Sequence, residues 1–273
     1  QSFKVTVTGD KSLKDRPMKR IITPLNKMGI EIKSKNNMLP IQINGLNETL
    51  PITYEMPMPS AQVKSCILLS SLSSPGKTTI IEKISTRDHT EILLKLFGAG
   101  IKTKKENNKS IIEILGQKEL VGRKINISAD PSSAAIIGSG GLLTNKSEIK
   151  IKNVNMNKTR STFFKILKKM KANIYFSNKK IVDNENVADI TFKSSNLSAI
   201  NLKKSIVTQM IDEIPIFCIL ASFANGVSTF TGGEELKYKE SNRLETIYNG
   251  LKACRIKVIK KKDGLKIFGS QKP

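Results

Sequence analysis

The chain has 273 residues, 38% of them hydrophobic, which is enough to bury the cores of two ordinary domains. Its formal charge of +23 suggests nucleic acid, but only seven of the 46 basic residues are arginines and only 5% of all residues are aromatic, so no nucleic-acid partner is expected. Three distant cysteines and one histidine exclude a disulfide framework and a zinc site.

The same residues indicate where the protein works. Because the cysteines show no pairing pattern, we expect a reducing, cytoplasmic compartment. The longest apolar run, residues 214–224, is shorter than the roughly 18 residues of a membrane span, so no membrane partner is expected. Residues 1–10 already have the pattern of a strand and lack an initiator Met, which predicts a piece of a longer protein.

Helices and strands alternate along the first half of the chain. The strand at its start leads to residues 16–32, a helix of period near 3.6 that begins with Arg and passes into a β-rich stretch. An apolar helix at 60–72 precedes a strand at 76–84, and a second helix that begins with Arg follows at 87–103. The stretch 100–116 has an Asn-rich centre, which predicts a β-hairpin.

The second half of the chain repeats this order. Apolar helices at 131–143 and 207–224 are each followed by a turn and a strand, at 146–154 and 226–233. Segments that begin with Arg and continue as a helix and strands occupy 160–176 and 243–259. The repeating unit is therefore βαβαββ, and the chain is predicted to be an α/β protein.

Arginine has the same place in four of these units. Arg16, Arg87, Arg160 and Arg243 each stand at the start of a helix, where backbone N–H groups and the helix dipole favour anions. The planar guanidinium also suits phosphate and carboxylate better than lysine does. One such residue could equally form an ion pair with a neighbouring carboxylate, but four among seven arginines predict a cleft for small anions.

Six segments, in this order, resemble those of the 5-enolpyruvylshikimate-3-phosphate synthase (EPSP synthase) family: 9–29, 59–72, 86–99, 130–136, 211–215 and 234–245. The resemblance implies the two-lobed enolpyruvyl transferase fold, an inside-out α/β barrel of repeated βαβαββ units. It places a partial N-terminal lobe at 1–126 and a partial C-terminal lobe at 127–273. Family segments expected at both ends are absent, so we expect a chain that is incomplete at both termini and need not be active alone.

The resemblance also implies an activity in the shikimate pathway of aromatic amino acid biosynthesis. Members transfer the enolpyruvyl group of phosphoenolpyruvate to the 5-hydroxyl of shikimate 3-phosphate and release phosphate. This chemistry needs a base, an acid, and cations for the phosphates and carboxylates, but neither a metal nor another cofactor. The expected partners are these two small molecules, and a monomer is expected.

The resemblance assigns the proton-transfer residues to the second lobe. It makes Asp212 the base and a ligand of the shikimate hydroxyl, and it makes Glu240 the group that moves a proton at the methylene carbon. Lys239 would contact shikimate 3-phosphate beside them, and Arg243 would bind phosphoenolpyruvate. Without the resemblance, residues 239–243 are equally well described as a helix start with Ser241 as N-cap and surface salt bridges.

The remaining expected ligands lie in the first lobe. By resemblance, Arg16 and Gln62 bind phosphoenolpyruvate, whereas Ser60, the Ala61 backbone and Arg87 bind shikimate 3-phosphate. Ser60 at a helix start is otherwise an ordinary N-cap. Alanine at position 61 resembles the class II, glyphosate-tolerant branch of the family.

Two charged residues receive no substrate from the resemblance. Arg160 matches no substrate ligand, and a salt bridge or a general charge of the cleft is expected there. Glu213 follows the expected base directly in the sequence, and a solvated or structural place is expected for it.

Two other functions remain open at this point. The UDP-N-acetylglucosamine enolpyruvyl transferases share the fold and the repeat but use a reactive cysteine in a mobile loop, whereas Cys66, Cys218 and Cys254 all lie in apolar helical stretches. A basic nucleic-acid-binding module would explain the charge of +23 without catalysis. A salt-dependent shift of a DNA probe, with no response to shikimate 3-phosphate, would favour that module.

Overall fold

The computed structural model describes residues 3–238 and 241–270. Within these residues the strands form four sheets. The chain divides between Lys124 and Ile125 into two compact units. No helix in the described ranges is both long and apolar enough to cross a membrane.

The first unit begins with a three-stranded antiparallel sheet. Its strands are β1 (Lys4–Val7), β2 (Glu31–Ser34) and β3 (Ile41–Asn44), in the order β1-β3-β2. Helices α1 (Lys11–Lys14) and α2 (Lys19–Lys27) connect β1 to β2. With α1 left aside, the order strand, helix, strand, strand corresponds to the last four elements of the predicted βαβαββ repeat.

The rest of the first unit is one full copy of the predicted βαβαββ repeat. Strands β4 and β5 are parallel, which requires the crossover through α3, and the other strand pairs are antiparallel in the order β4-β5-β7-β6. A 3₁₀ turn at Ser71–Ser73 follows α3. The elements are β4 (Thr53–Glu55), α3 (Ala61–Ser70), β5 (Lys77–Glu82), α4 (His89–Leu96), β6 (Gly100–Glu106) and β7 (Lys109–Leu115).

The predicted hairpin at 100–116 is confirmed by strands β6 and β7. Its turn consists of Asn107 and Asn108, whose φ angles of 47° and 61° lie in the left-handed region. Asparagine tolerates that region better than most residues, because its short polar side chain can bond locally to the backbone. The Asn-rich centre therefore identified the turn correctly.

The second unit begins with another copy of the repeat. A parallel bridge between Ala129 and Val154 stands where the first strand of the copy is expected. The strands pair antiparallel in the order β8-β10-β9. The elements are α5 (Pro131–Leu143), β8 (Glu148–Asn155), α6 (Thr162–Lys169), β9 (Asn173–Val182) and β10 (Glu185–Lys193).

The last copy of the repeat forms a four-stranded sheet in the order β11-β12-β14-β13, with β11 and β12 parallel. A 3₁₀ turn at Glu234–Tyr238 follows β12. The elements are β11 (Asn201–Leu202), α7 (Lys204–Gln209), α8 (Ile214–Phe223), β12 (Val227–Phe230), α9 (Arg243–Ala253), β13 (Val258–Lys261) and β14 (Gly264–Phe268).

The single apolar helix predicted at 207–224 is wrong, because α7 and α8 are separated by a turn at residues 210–213. Pro215 gives the physical reason. A proline inside a continuous helix has no N–H to donate and clashes with the carbonyl four residues earlier, but it is tolerated in the first turn. The new helix therefore starts at Ile214, and Asp212 lies in a turn instead of an apolar helix.

Each unit packs its sheets against helices around its own core. Burial alternates along β5 and β7, so that each strand turns one row of side chains towards the helices. The most buried apolar side chains of the first unit include Met28, Ile67, Leu68, Ile80, Ile112 and Ile114. Those of the second unit include Phe163, Phe164, Phe192, Phe217 and Phe230.

Gly264 allows β14 to approach β12 closely. A Cβ at this position would lie 1.9 Å from the carbonyl oxygen of Phe230, a backbone atom that cannot move without disturbing the pairing of the two strands. We expect Gly264→Ala to lower the free energy of unfolding by about 1–3 kcal/mol, measured by urea denaturation.

The matched control for this prediction is Gly250 in α9, where a Cβ would meet nothing within 4 Å. Gly250→Ala is expected to raise the free energy of unfolding by about 0.5–1 kcal/mol, because alanine loses less conformational entropy in a helix. Equal effects of the two substitutions would contradict the close approach at Gly264.

Candidate functional site

Asp212, the expected base, lies between two arginines of the second unit. Arg243 Nη1 donates to Asp212 Oδ1 at 3.1 Å, and Arg160 Nη1 lies 3.6 Å from Asp212 Oδ2. The exposed fractions of the side chains are 30% for Asp212, 25% for Arg243 and 10% for Arg160. The carboxylate is therefore oriented through both of its oxygens while part of it remains accessible to solvent.

Arg160 has further partners at the start of α5. Its Nη2 donates to Ser132 Oγ at 2.7 Å and to Asp130 Oδ1 at 3.2 Å. Asp130 is the N-cap of α5, because its Oδ2 accepts from the Ser133 N–H at 2.7 Å. Burial acts to raise the pKa of Asp130, but the hydrogen bonds from Ser133 and the charge of Arg160 outweigh it and hold the pKa below its ordinary value.

The expected salt bridge at Arg160 is thus present, and it reaches the expected base. The sequence did not predict this contact, because nothing local to residue 160 identifies a carboxylate that is distant in the chain. The only signal was the recurrence of Arg at the start of the helix in each repeat.

Glu213 has a structural place beside Asp212. It is 4% exposed and accepts a hydrogen bond from Ser132 Oγ at 2.5 Å. Ser132 therefore links Arg160 to Glu213. Of the two neighbouring carboxylates in this turn, Asp212 contacts arginines and Glu213 is buried against a hydroxyl.

The four arginines lie at or just before helix starts. Arg16 precedes α2 by three residues, Arg87 and Arg160 each precede a helix by two, and Arg243 is the first residue of α9. The N-cap of α9 is Asn242, whose Oδ1 accepts from the Glu245 N–H at 3.2 Å, so Ser241 as N-cap is wrong. Lys239 and Glu240 lie outside the described residues.

The first turn of α3 contains three of the expected ligands. Ser60 is the N-cap, and its Oγ accepts from the Val63 N–H at 3.3 Å. Ala61 is half-buried and Gln62 is exposed. A helix start of this kind has backbone N–H groups without intrahelical partners, which suits an anion, although here the Val63 N–H is already capped by Ser60.

The other expected ligands of the first unit lie in loops. Arg87 is half-buried in the loop between β5 and α4. Arg16 lies between α1 and α2, and its Nη2 donates to Ser12 Oγ at 3.4 Å.

The chemistry available to these residues is that of guanidinium groups and carboxylates. In the described ranges, no three His, Cys, Asp or Glu side chains lie close enough together to hold a metal ion. Guanidinium groups bind phosphate and carboxylate, and a positioned carboxylate can accept a proton.

Known proteins resemble this chain over its whole length. A family model described as EPSP synthase (3-phosphoshikimate 1-carboxyvinyltransferase) matches residues 1–272. A 3-phosphoshikimate 1-carboxyvinyltransferase of Zymomonas mobilis is 44% identical over 266 residues, which are 97% of this chain and 59% of that protein. One from Aquifex aeolicus is 41% identical over an alignment of 274 positions, which covers 99% of this chain and 63% of that protein. The chain thus spans 59–63% of the length of these two relatives.

Solved structures agree with the sequence comparisons. The EPSP synthase from Acinetobacter baumannii matches with a TM-score of 0.84 and 39% identity, over 100% of this chain and 61% of that chain. The enolpyruvyl transferase NikO from Streptomyces tendae matches with a TM-score of 0.73 and 14% identity, over 97% of this chain and 60% of that one, which shows the fold alone. The predicted enolpyruvyl transferase fold of repeated βαβαββ units is confirmed.

Proposed function

This chain belongs to the EPSP synthase (3-phosphoshikimate 1-carboxyvinyltransferase) family, and we propose on that basis that its protein transfers the enolpyruvyl group of phosphoenolpyruvate to shikimate 3-phosphate. The two units, which divide between Lys124 and Ile125, are then the partial lobes predicted at 1–126 and 127–273. The observation that carries the proposal is the Asp212 carboxylate held between Arg243 and Arg160, because it combines a proton acceptor with cations for anionic substrates.

The reaction needs a proton removed from oxygen and a proton delivered to carbon. In the proposed mechanism, Asp212 accepts the proton of the 5-hydroxyl of shikimate 3-phosphate while the hydroxyl oxygen bonds to C2 of phosphoenolpyruvate. Glu240 protonates the methylene carbon, so the double bond becomes a methyl group in a tetrahedral phosphoketal. The Glu240 carboxylate then takes back a methyl proton, which restores the double bond as the bond between C2 and the phosphate oxygen breaks, and phosphate leaves with the proton that Asp212 had accepted.

Cations hold the substrates during these steps. Arg243 would bind phosphoenolpyruvate through its planar fork, and Lys239 would contact shikimate 3-phosphate. Arg16 and Gln62 would add contacts to phosphoenolpyruvate. For shikimate 3-phosphate, Ser60, the Ala61 backbone and Arg87 would complete the site.

The surroundings of the cysteines support this function over UDP-N-acetylglucosamine enolpyruvyl transfer. Cys66 and Cys218 lie within α3 and α8, and burial raises the pKa of both thiols, which disfavours the reactive thiolate. Cys254 is the C-cap residue of α9. Two of the three thus lie inside helices, and the exposed Cys254 directly follows one.

The proposal is tested by calorimetric titration with shikimate 3-phosphate and by an assay of phosphate release, both on the natural protein in its full length. We expect saturable binding and phosphate release that requires both substrates. Absence of both would overturn the proposal, and a salt-dependent shift of a DNA probe in that case would favour a nucleic-acid-binding module.

Arg160 offers a test of how Asp212 is positioned. Arg160 contacts Asp212, so the Arg160→Gln substitution is expected to lower kcat by roughly 10-fold, with a smaller change in KM for either substrate. Steady-state kinetics measure the two effects. Arg255→Gln, at an exposed arginine just after α9, is the matched control and should leave both constants unchanged. A rise in KM with kcat preserved would instead make Arg160 a substrate ligand.

A further inference from the structure

Three charged side chains are buried together in the first unit. Lys64 on α3 has its Nζ 2.6 Å from Glu91 Oε1 and 3.2 Å from Glu82 Oε2. The side chains of Lys64, Glu82 and Glu91 are 1%, 2% and 9% exposed. Burial raises the pKa of Glu91 and Lys64 opposes that rise, while Glu91 Oε2 has no hydrogen-bond partner within the described residues.

Stability alone gives no reason for such a cluster. Moving charged groups out of water costs about as much free energy as their mutual attraction returns, so apolar residues of similar volume often serve a core as well or better. The cluster also combines one cation with two carboxyl groups, which leaves their charges unbalanced if both carboxyls are ionised. Unlike apolar packing, however, the bonds of the cluster are directional, so they hold particular segments in place.

The cluster joins the two segments of this unit that contain the expected ligands of shikimate 3-phosphate. Lys64 is one turn after Ser60 on α3, while Glu82 ends β5 and Glu91 lies in the first turn of α4. The loop that contains Arg87 runs from Glu82 to that turn of α4.

Two hydrogen bonds tie the same segments together. Thr86, directly before Arg87, donates from its Oγ1 to Glu82 Oε1 at 2.5 Å. Ser65 on α3 and Thr90 on α4 bring their hydroxyl oxygens to 2.6 Å. The loop is thus bonded to the cluster through Thr86, and α4, which follows it, is bonded to α3 through Thr90.

We propose that the Lys64–Glu82–Glu91 cluster is a positioning device for the shikimate 3-phosphate site, which fixes the loop of Arg87 against the first turn of α3. The inference rests on the proposed function, since that function makes Ser60 and Arg87 ligands of one substrate. A guanidinium binds phosphate most strongly through two parallel N–H groups that are aimed at it together, so a small shift of the loop weakens binding. Apolar packing would fill the same volume without fixing that direction.

The test removes all three charges at once and keeps the size of each side chain, in the variant Lys64→Met with Glu82→Gln and Glu91→Gln. Lys64→Met alone would leave two buried carboxyl groups without their cation and is expected to unfold the protein, so it is not the test. Thermal denaturation and calorimetric binding of shikimate 3-phosphate are measured on the natural protein in its full length.

We expect the triple variant to keep or exceed the thermal stability of the unmodified protein, while its Kd for shikimate 3-phosphate rises roughly 10- to 100-fold. The control is Lys77→Met with Glu113→Gln, which removes a partly exposed ion pair between β5 and β7, 2.9 Å between Lys77 Nζ and Glu113 Oε1. This second variant should bind shikimate 3-phosphate as the unmodified protein does.

The outcomes separate this inference from the function on which it rests. If the unmodified protein does not bind shikimate 3-phosphate, the proposed function falls and this inference falls with it. If the unmodified protein binds and the triple variant binds equally well, this inference alone is overturned. A triple variant that has lost its thermal stability would also overturn it, because the cluster would then serve the core.

Discussion

Asp212→Asn is expected to lower kcat by roughly 100-fold or more, because the amide keeps the size of the side chain but cannot accept the hydroxyl proton. The loss should appear in kcat more than in either KM, since the substituted group acts chiefly in the transition state. Steady-state phosphate release in the natural protein in its full length measures both constants. Unchanged turnover would remove Asp212 from the mechanism.

A control is needed because Asp212 also receives contacts from Arg243 and Arg160. Asp183→Asn changes another carboxylate of the second unit, in the turn between β9 and β10, where it accepts a hydrogen bond from the Asn126 N–H at 2.7 Å. Asparagine tolerates the left-handed backbone of residue 183, whose φ is 49°, so turnover should remain normal. Thermal denaturation of both variants then separates loss of the base from loss of folding.

Glu240→Gln and Arg243→Lys are expected to fail in different ways. Glu240→Gln should depress kcat by roughly 100-fold with little change in the KM of either substrate, because it removes proton transfer to carbon. Arg243→Lys keeps the positive charge but loses the planar fork, so it should raise the KM for phosphoenolpyruvate roughly 10-fold or more while affinity for shikimate 3-phosphate stays nearly intact. Steady-state kinetics with each substrate varied in turn distinguish the two.

Glu234 is the matched control for these two variants. It is an exposed residue at the start of the 3₁₀ turn, with Lys204 Nζ 3.9 Å from its carboxylate. Such a weak surface pair contributes little, so Glu234→Gln should be tolerated. If Glu234→Gln abolished turnover while Glu240→Gln had no effect, the carboxylate that moves the proton would have been assigned wrongly.

Much of the fold was predictable because its signals are local. The helical period after each arginine, the Asn107–Asn108 turn and the alternating strands depend on residues close together in the chain. The break between α7 and α8 was missed because the apolar pattern continues through Pro215, although the proline itself was the available signal.

The candidate site was only partly predictable for a different reason. Local pattern placed Arg160 and Arg243 at helix starts, but the contact of both with Asp212 depends on how separate elements pack in the second unit. The buried Lys64 cluster was missed in the same way, since a charge in an apolar helix shows only that some partner must exist. Pairing over long sequence separations cannot be read from one sequence.

The parallel pairs β4–β5 and β11–β12 have a consequence for how the repeats diverged. In parallel strands the carboxyl ends meet at one edge of the sheet, and the segments that follow them start there. Ser60 and Arg87 follow β4 and β5, Arg243 follows β12 and its 3₁₀ turn, and Asp212 follows β11 and the short helix α7. In both copies the proposed site residues thus stand in segments that come after the paired parallel strands, as expected if the copies arose by duplication of one module. Substitutions in these segments then give one copy a hydroxyl, at Ser60, and the other a carboxylate, at Asp212, while the strands and helices of the repeat stay the same.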